Sequence, residues 1–502
     1  MTSSKSANSN ASPLAPEETA TLGDWDEHEE RRLVNKIDTR CLPVLMILFI
    51  LNFLDRSNLA NARLAGLQQD LNLNDTQYAT SLSVLFAGYI FMQVPSNLVM
   101  NTVPTPRLYL AFVTVTWGLI SALTSLCNNF SQIVVCRFFL GFVEAAFYPG
   151  AIYYLSRWYT RKEVGFRIAV LNVGNMMAQG LGGLIAAGVL SGMEGARGIR
   201  GWRWLFIIEG SITVAFGLLV PFILADYPSS TRWLSERELR IAQGRLVKDV
   251  GLVDNPDEAE RSGSGVLHGL KLAVTDIKVW ALALMYFTYL MGLSFSQYFP
   301  SITKTLGFNT TVTLLLTFPP WAFATVFALV NSWHSDRTGE KYFHIALAYA
   351  FALLGYVVAL TAKTTAGKYI SLFGMCMGYS GGILLLGWVS TSLPRPPVKR
   401  AAAIAIVNGF ANIGQIPASY LWPSKWAPRY WRSFTTELCL LSLSLAIGLA
   451  YRQYLVYLNK KLENGEVEVF GADEKTITKS ANLVNATADQ ERRLIRKFRY
   501  LL

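Results

Sequence analysis

Residues 42–62 read LPVLMILFILNFLDRSNLANA, an apolar block with Asn52, Asp55, Arg56, Ser57 and Asn58 set inside it. At about 1.5 Å of rise per residue, about 20 helical residues cross the hydrocarbon core of a bilayer, which is the length of this block. A charge at the centre of such a helix costs at least about 2.5 kcal/mol, so an acid and a base kept side by side there need a partner, a water-filled cavity or a function. Blocks of similar length recur at 78–100, 107–127, 131–154, 165–190 and 203–225, and again at 277–300, 310–333, 342–362, 368–392, 400–422 and 434–457. The longest polar interval inside this region, 226–276, separates six blocks from six. The pattern predicts an all-α polytopic membrane protein of twelve transmembrane helices in two halves.

Composition agrees with the pattern. The chain has 502 residues, 52% hydrophobic and 16% charged, with a mean hydropathy of +0.31, too apolar for an ordinary soluble enzyme. Cys41, Cys127, Cys136, Cys376 and Cys439 are scattered and sit mostly inside apolar blocks, and the four histidines do not cluster. They read as core residues, with no metal site, cofactor site or catalytic constellation among them. Residues 1–40, rich in Ser, Ala, Asn and Pro and then acidic, read as a disordered cytoplasmic tail without a signal-peptide core. The first bundle is expected over 41–225, a cytoplasmic central loop over 226–276, the second bundle over 277–458 and a second cytoplasmic tail over 459–502.

The net charge of +11 does not point to nucleic acid, because in a membrane chain the placement of the bases matters more than their sum. Dividing Lys and Arg between alternate sides puts 32 on the side of the termini and 10 opposite, which predicts both termini in the cytoplasm. Within the central loop, Ser235 precedes Glu236-Arg237-Glu238-Leu239 in a spacing that predicts a surface helix. In the tail, Arg492, Arg493, Arg496, Lys497 and Arg499 form a basic cluster suited to anionic lipid.

Few charges lie inside the blocks. Asp55 and Arg56 interrupt the first, and Arg137 and Glu144 stand two turns apart on one face of the fourth. Counted from the helix ends, Asp55 and Arg137 fall at similar depth and are expected to pair, either as a static bridge or as one that breaks on protonation. Arg56 is then free to hold a carboxylate bidentately, and Glu144, deeper, is placed to release a proton inward. Asn52 in the first block, Tyr286, Tyr289, Gln297 and Tyr298 in the seventh, and Asn408, Asn412 and Gln415 in the eleventh are candidate cavity residues, although for any single one interface anchoring or interhelical hydrogen bonding is the more common role. Glycines 174, 180, 182, 183, 374, 378, 381 and 382 suit close helix packing, and Pro149-Gly150 is expected to bend the fourth helix just after Glu144.

The run Arg137-Phe138-Phe139-Leu140-Gly141-Phe142-Val143-Glu144-Ala145-Ala146-Phe147-Tyr148-Pro149-Gly150, together with Leu54-Asp55-Arg56-Ser57-Asn58, Gly201 to Gly210, Thr231-Arg232-Trp233-Leu234 and Ala427-Pro428-Arg429-Tyr430, resembles one family. The chain is similar, from about 35 to 460, to the major facilitator superfamily. Within it the likeness is to the anion:cation symporter group, most of all its fungal allantoate permease-like branch of nicotinate, pantothenate and biotin-type permeases. Asp336-Arg337-Thr338-Gly339-Glu340-Lys341 resembles the superfamily's gating turn, whose acid and bases latch the inner face. Two departures stand out. The matching turn at 97–107 lacks the acid and the glycine, and Gly174 is not followed by the proline that marks drug antiporters.

The resemblance implies a monomeric, proton-coupled symporter in the plasma membrane, importing a small organic anion such as a carboxylate vitamin or a nitrogen-source acid. It implies that Arg56 contacts the substrate carboxylate, that Asp55 and Glu144 carry protons beside Arg137, and that Asp336, Arg337, Gly339, Pro149 and Gly150 serve gating. Export of a carboxylate metabolite and a non-transporting nutrient sensor are the alternatives.

Overall fold

The computed structural model describes residues 25–103, 105–228, 231, 233–251, 265–393 and 397–464. Span 1 is Glu27–Leu64, span 2 Asp75–Thr102, span 3 Pro106–Leu123, span 4 Phe130–Glu144 continued by Phe147–Ser156, span 5 Arg161–Met193 and span 6 Gly201–Ile223. Two helices follow, Glu236–Gly251 and Gly265–Val274. Span 7 is Ile277–Gly292 continued by Phe299–Lys304, span 8 Thr310–Leu315 and Phe318–Thr338, and span 9 Tyr342–Thr361. Span 10 is Thr365–Met377 and Tyr379–Ser392, span 11 Pro397–Ile413 and Gln415–Ala418, and span 12 Trp431–Glu463. Ten of these are long and apolar enough to cross a bilayer; spans 2 and 11 complete the twelve. Large apolar side chains such as Phe91, Phe112 and Phe222 stand exposed on the bundle's flanks, where a lipid solvent makes exposure favourable.

Residues 27–40 are not a disordered tail but the first turns of span 1. Asp26 caps the helix, its carboxylate accepting from the Glu29 amide at 2.6 Å, and Glu27, Glu29 and Glu30 complement the positive end of the helix dipole. The acidic run is thus a helix start. It also has partners: Glu29 pairs with Arg237 at 2.8 Å, Lys36 with Glu238 at 2.8 Å and Asp38 with Arg167 at 2.6 Å. The first two ties hold the central helix against span 1, and the third joins span 1 to span 5. That helix starts at Glu236 through a reciprocal cap, Ser235 and Glu238 each accepting from the other's backbone amide. Trp233 stacks on Trp158 at 5.7 Å between centroids. Arg232 and the basic cluster at 492–499 lie outside the described residues.

Span 4 breaks at Ala145–Ala146 rather than at the proline itself. Pro149 has no amide hydrogen to offer the carbonyl four residues back, that of Ala145, and the helix resumes only at Phe147. Glu144 is therefore the last residue of its segment. Spans 2 and 4 cross at backbone contact: a Cβ on Gly141 would lie 2.0 Å from the Leu85 carbonyl oxygen, and one on Gly88 2.2 Å from that of Phe138. This crossing fixes the position of the Arg137–Glu144 face against span 1.

With twelve spans both ends of the described chain lie at one end of the bundle. The described polar contacts between the halves gather at the opposite end. Arg63 donates to Ser424 Oγ at 2.8 Å, Asp75 accepts from the Ser424 amide at 2.8 Å and hydroxyl at 2.7 Å, and Thr80 meets Tyr420 at 2.9 Å. Arg63 also lies over the rings of Tyr78 and Tyr298. This end is sealed.

Candidate functional site

Below the seal the two halves enclose a central cavity of about 220 Å³. Span 1 gives it Asn52 and Arg56, span 4 gives Arg137, span 7 gives Tyr286 and Gln297, and span 11 gives Asn408, Asn412 and Gln415, so eight sequence candidates converge there. Tyr289, expected among them, does not. Its ring is buried between Tyr286 and Tyr349, stacked at 5.7 and 5.4 Å, and its hydroxyl donates to the Tyr379 carbonyl at 3.2 Å. It fits because span 10 has Gly382 there, where a Cβ would sit 2.5 Å from the Tyr289 hydroxyl. Tyr298 also points elsewhere, donating to the Ser419 carbonyl at 2.6 Å in the seal.

The ion pairs differ from the expected ones. Arg56 is not free: its Nε donates to Glu144 Oε2, and its guanidinium stacks over Tyr89 and Phe53 at 4.7 and 5.1 Å. The Glu144 side chain is fully enclosed, yet its second oxygen has no hydrogen-bond partner. Asp55, fully buried, does not bridge to the Arg137 side chain; it accepts from Ser121 at 2.6 Å and Thr213 at 3.0 Å. Arg137 instead points one nitrogen at the backbone carbonyls of Asp55 and Arg56, both at 3.5 Å, while Nε and Nη2 have no partner. Depth was counted correctly; the direction each side chain takes around its helix was not.

Several lining residues went unnoticed in the sequence. Tyr89, Tyr148, Asn172, Asn175, Gln179 and Tyr379 all face the cavity. Asn172 sits two residues before Gly174, and Asn175 and Gln179 one turn apart, so a polar stripe within the apolar fifth block was their signal. Asn52 Nδ2 and Asn175 Oδ1 are buried without a protein partner, which leaves each able to bond a guest. Across the cavity, Gln297 Nε2 donates to Gln415 Oε1 at 2.6 Å and Ser419 donates to Gln297 Oε1 at 2.8 Å, so the neutral wall is already cross-linked. Asn412 Nδ2 donates to the Asn408 carbonyl at 2.8 Å.

At the end of the bundle where the termini lie, Asp336 pairs with Lys341 at 2.6 Å, Glu340 with Arg452 at 3.0 Å, and Arg337 lies 5.6 Å over the Trp333 ring. Gly339 takes the left-handed conformation, φ 70°, that ends span 8. These described pairs stay within the second half. The turn is built, and among the described residues its ion pairs do not reach the first half.

The cavity offers two guanidiniums on one wall and neutral amides and phenols on the other. That arrangement suits a small anion bearing further hydrogen-bonding groups. Residues 45–419 match the sequence profile of the Major Facilitator Superfamily. The chain is 34% identical over 401 residues to the MFS-type transporter cnsO of Penicillium expansum, covering 76% of this chain and 75% of that one. It is 34% identical over 387 residues to a putative tartrate transporter of Agrobacterium vitis, covering 77% and 83%. Its fold resembles the inward-facing, unoccupied crystal structure of a bacterial homolog of the human lysosomal transporter Spinster, with a TM-score of 0.63 at 13% identity over 86% of this chain and 99% of that one.

Proposed function

The chain belongs to the major facilitator superfamily, and from that premise we propose a proton-coupled importer of a small organic anion, a carboxylate vitamin or nitrogen-source acid, working by alternating access. As a member of that family with transporter relatives it is a multi-pass membrane transporter and not an enzyme. The observation that carries the finer reading is the Arg56–Glu144 pair on the cavity wall. A substrate carboxylate and the Glu144 carboxylate compete for one guanidinium. Protonating Glu144 frees Arg56 for the anion; deprotonating it recaptures Arg56 and expels the anion, so the two cargoes bind together. Arg137, with two unpartnered nitrogens, adds a second positive charge.

The 32 to 10 division of bases puts both termini in the cytoplasm. The sealed end is then the outer one, and the cavity belongs to an inward-facing state in which the anion leaves. The tartrate name of one relative supports a carboxylate cargo. The resemblance to the allantoate permease-like branch supports nicotinate, pantothenate, biotin or allantoate, and a plasma-membrane location.

The test is uptake of labelled tartrate, nicotinate, pantothenate, biotin and allantoate by cells expressing the protein, at pH 5 and pH 7.5, with and without a protonophore. Saturable, acid-stimulated and protonophore-sensitive uptake of one acid is expected. Surface expression with no uptake of any, or uptake indifferent to the protonophore, contradicts the reading.

A further inference from the structure

Spans 1 and 6 run antiparallel and meet in two rungs one helical turn apart. In the first rung Thr213 Oγ1 donates to Asp55 Oδ2 at 3.0 Å, and Ser121 of span 3 donates to Asp55 Oδ1 at 2.6 Å. Asn58 stands three residues after Asp55 and Glu209 four residues before Thr213, so the same two faces set Asn58 opposite Glu209. Asp55 and Asn58 are 0% exposed, Thr213 1% and Glu209 2%.

The rungs differ in chemistry. Asp55 has two hydroxyl donors, one for each oxygen. Among the described residues the neutral amide of Asn58 is what approaches the Glu209 carboxyl, and neither Glu209 oxygen nor either Asn58 amide atom forms a close hydrogen bond. An ionised carboxylate is held in hydrocarbon by several donors or a cation; beside Glu209 stands one neutral amide, that of Asn58.

The surrounding charges point the same way. Arg56 is balanced by Glu144. Arg137 of span 4 stands near both Glu144 and Asp55 without an ion pair to either, so two guanidiniums face the three carboxylates of Asp55, Glu144 and Glu209. Asp55, held by Thr213 one turn along span 6, is the charged neighbour of Glu209 on span 1. Spans 3 and 5, the other spans packed on span 6, carry charges only in their first two turns, Arg107 in one and Arg161, Lys162, Glu163 and Arg167 in the other, at the end of the bundle where the termini lie. The short turn after span 3, Thr124–Leu126, carries none. Glu209 is the surplus negative charge, and two adjacent carboxylates in a low dielectric do not both ionise.

We propose that Glu209 is a proton-binding site, neutral in this conformation, that exchanges its proton with Asp55 one turn away by way of the Asn58 amide and bound water. The proton leaves a Glu209 oxygen for water and reaches an Asp55 oxygen as its hydroxyl donors turn away; no electrons change hands. The site's role in transport rests on the proton-coupled reading above, while its protonation does not.

Infrared difference spectroscopy tests this on the purified full chain in lipid nanodiscs at pH 7.5, without any substrate. A protonated carboxyl lacking strong hydrogen bonds absorbs at the high-frequency edge of the carboxyl region. The Glu209→Gln minus wild-type spectrum should show loss of one such band. Glu209→Asp, which keeps the acid, should shift the band instead of removing it, and Glu437→Gln, which removes the buried acid of the other half, should leave it in place. An unchanged band in Glu209→Gln overturns the proposal. So does a band that vanishes when sodium chloride replaces choline chloride, which would make the chamber a cation site. If the band is lost but uptake of the five acids ignores the protonophore, Glu209 is a proton site and the symport reading fails. If uptake is protonophore-sensitive and the band is unchanged, only the Glu209 assignment fails.

Discussion

The two halves face one cavity with different chemistry. The first half brings Arg56 and Arg137 to the wall, with Glu144, Asp55 and Glu209 behind them and several of their polar atoms unpartnered. Among the described residues the second half brings no charged side chain to the cavity, only Tyr286, Tyr379, Ser296, Gln297, Asn408, Asn412 and Gln415 with apolar neighbours. The buried acid of the second half, Glu437, stands away from the cavity and accepts from Ser294 at 2.6 Å and Trp422 at 3.1 Å. Charged groups that lack partners can change state; groups already cross-linked hold a shape. On the proposed reading, anion capture and proton handling fall to the first half, and the choice among anions to the second.

Removing Arg56 should break this division most severely. Arg56→Ala takes away the anion's partner; the lost charge-assisted hydrogen bonds are worth about 3 kcal/mol, equivalent to about a 100-fold loss of uptake. Arg56→Lys keeps the charge without the planar fork and should lose about tenfold. Both are read as initial uptake rate per molecule at the surface. Arg56→Ala with undiminished uptake would remove the first half's role in capture.

A smaller effect is expected on the neutral wall. Tyr286→Phe and Asn412→Ala each delete hydrogen-bonding capacity, so KM should change by about tenfold or less and unequally among the five acids, at a cost of about 1 kcal/mol per lost bond. Protonophore sensitivity should stay as in the wild type. A change in proton dependence from either variant would blur the distinction between the halves. The smallest effect belongs to the seal. Asp75→Asn weakens its contacts with Arg63 and Ser424 and should raise labelling of a cysteine placed at Ser57 by an impermeant thiol reagent applied from outside, by about threefold, or about 0.7 kcal/mol of conformational bias. Unchanged labelling would place the outer barrier elsewhere.

The sequence made the spans legible because bilayer thickness imposes a length on every apolar block, and it exposed Arg56, Arg137 and Glu144 because charges are conspicuous there. Pairing was not legible. Whether Asp55 turns to Arg137 or to Ser121 and Thr213 depends on helix rotation, which residue counting along an axis leaves open. The start of span 1 is not legible because Glu27, Glu29 and Glu30 have the composition of a solvated tail, and the partners that tie this segment down, Arg237 to Glu29 and Glu238 to Lys36, lie some 200 residues away. Tyr289 was misplaced because the slot made by Gly382 on another helix cannot be seen in the seventh block alone. Glu209 was readable: a single acid in RWLFIIEGSI carries the same signal as Glu144.

The central claim, that Glu144 couples protons to the anion through Arg56, is tested most directly in proteoliposomes holding wild type or Glu144→Gln. The acid that the uptake panel identifies is followed as accumulation under an inward proton gradient and as exchange against preloaded unlabelled acid. The account predicts that Glu144→Gln loses accumulation and keeps exchange, because a permanently neutral partner leaves Arg56 open to the anion and gives the gradient nothing to act on. Gradient-driven accumulation at the wild-type level in Glu144→Gln would contradict it.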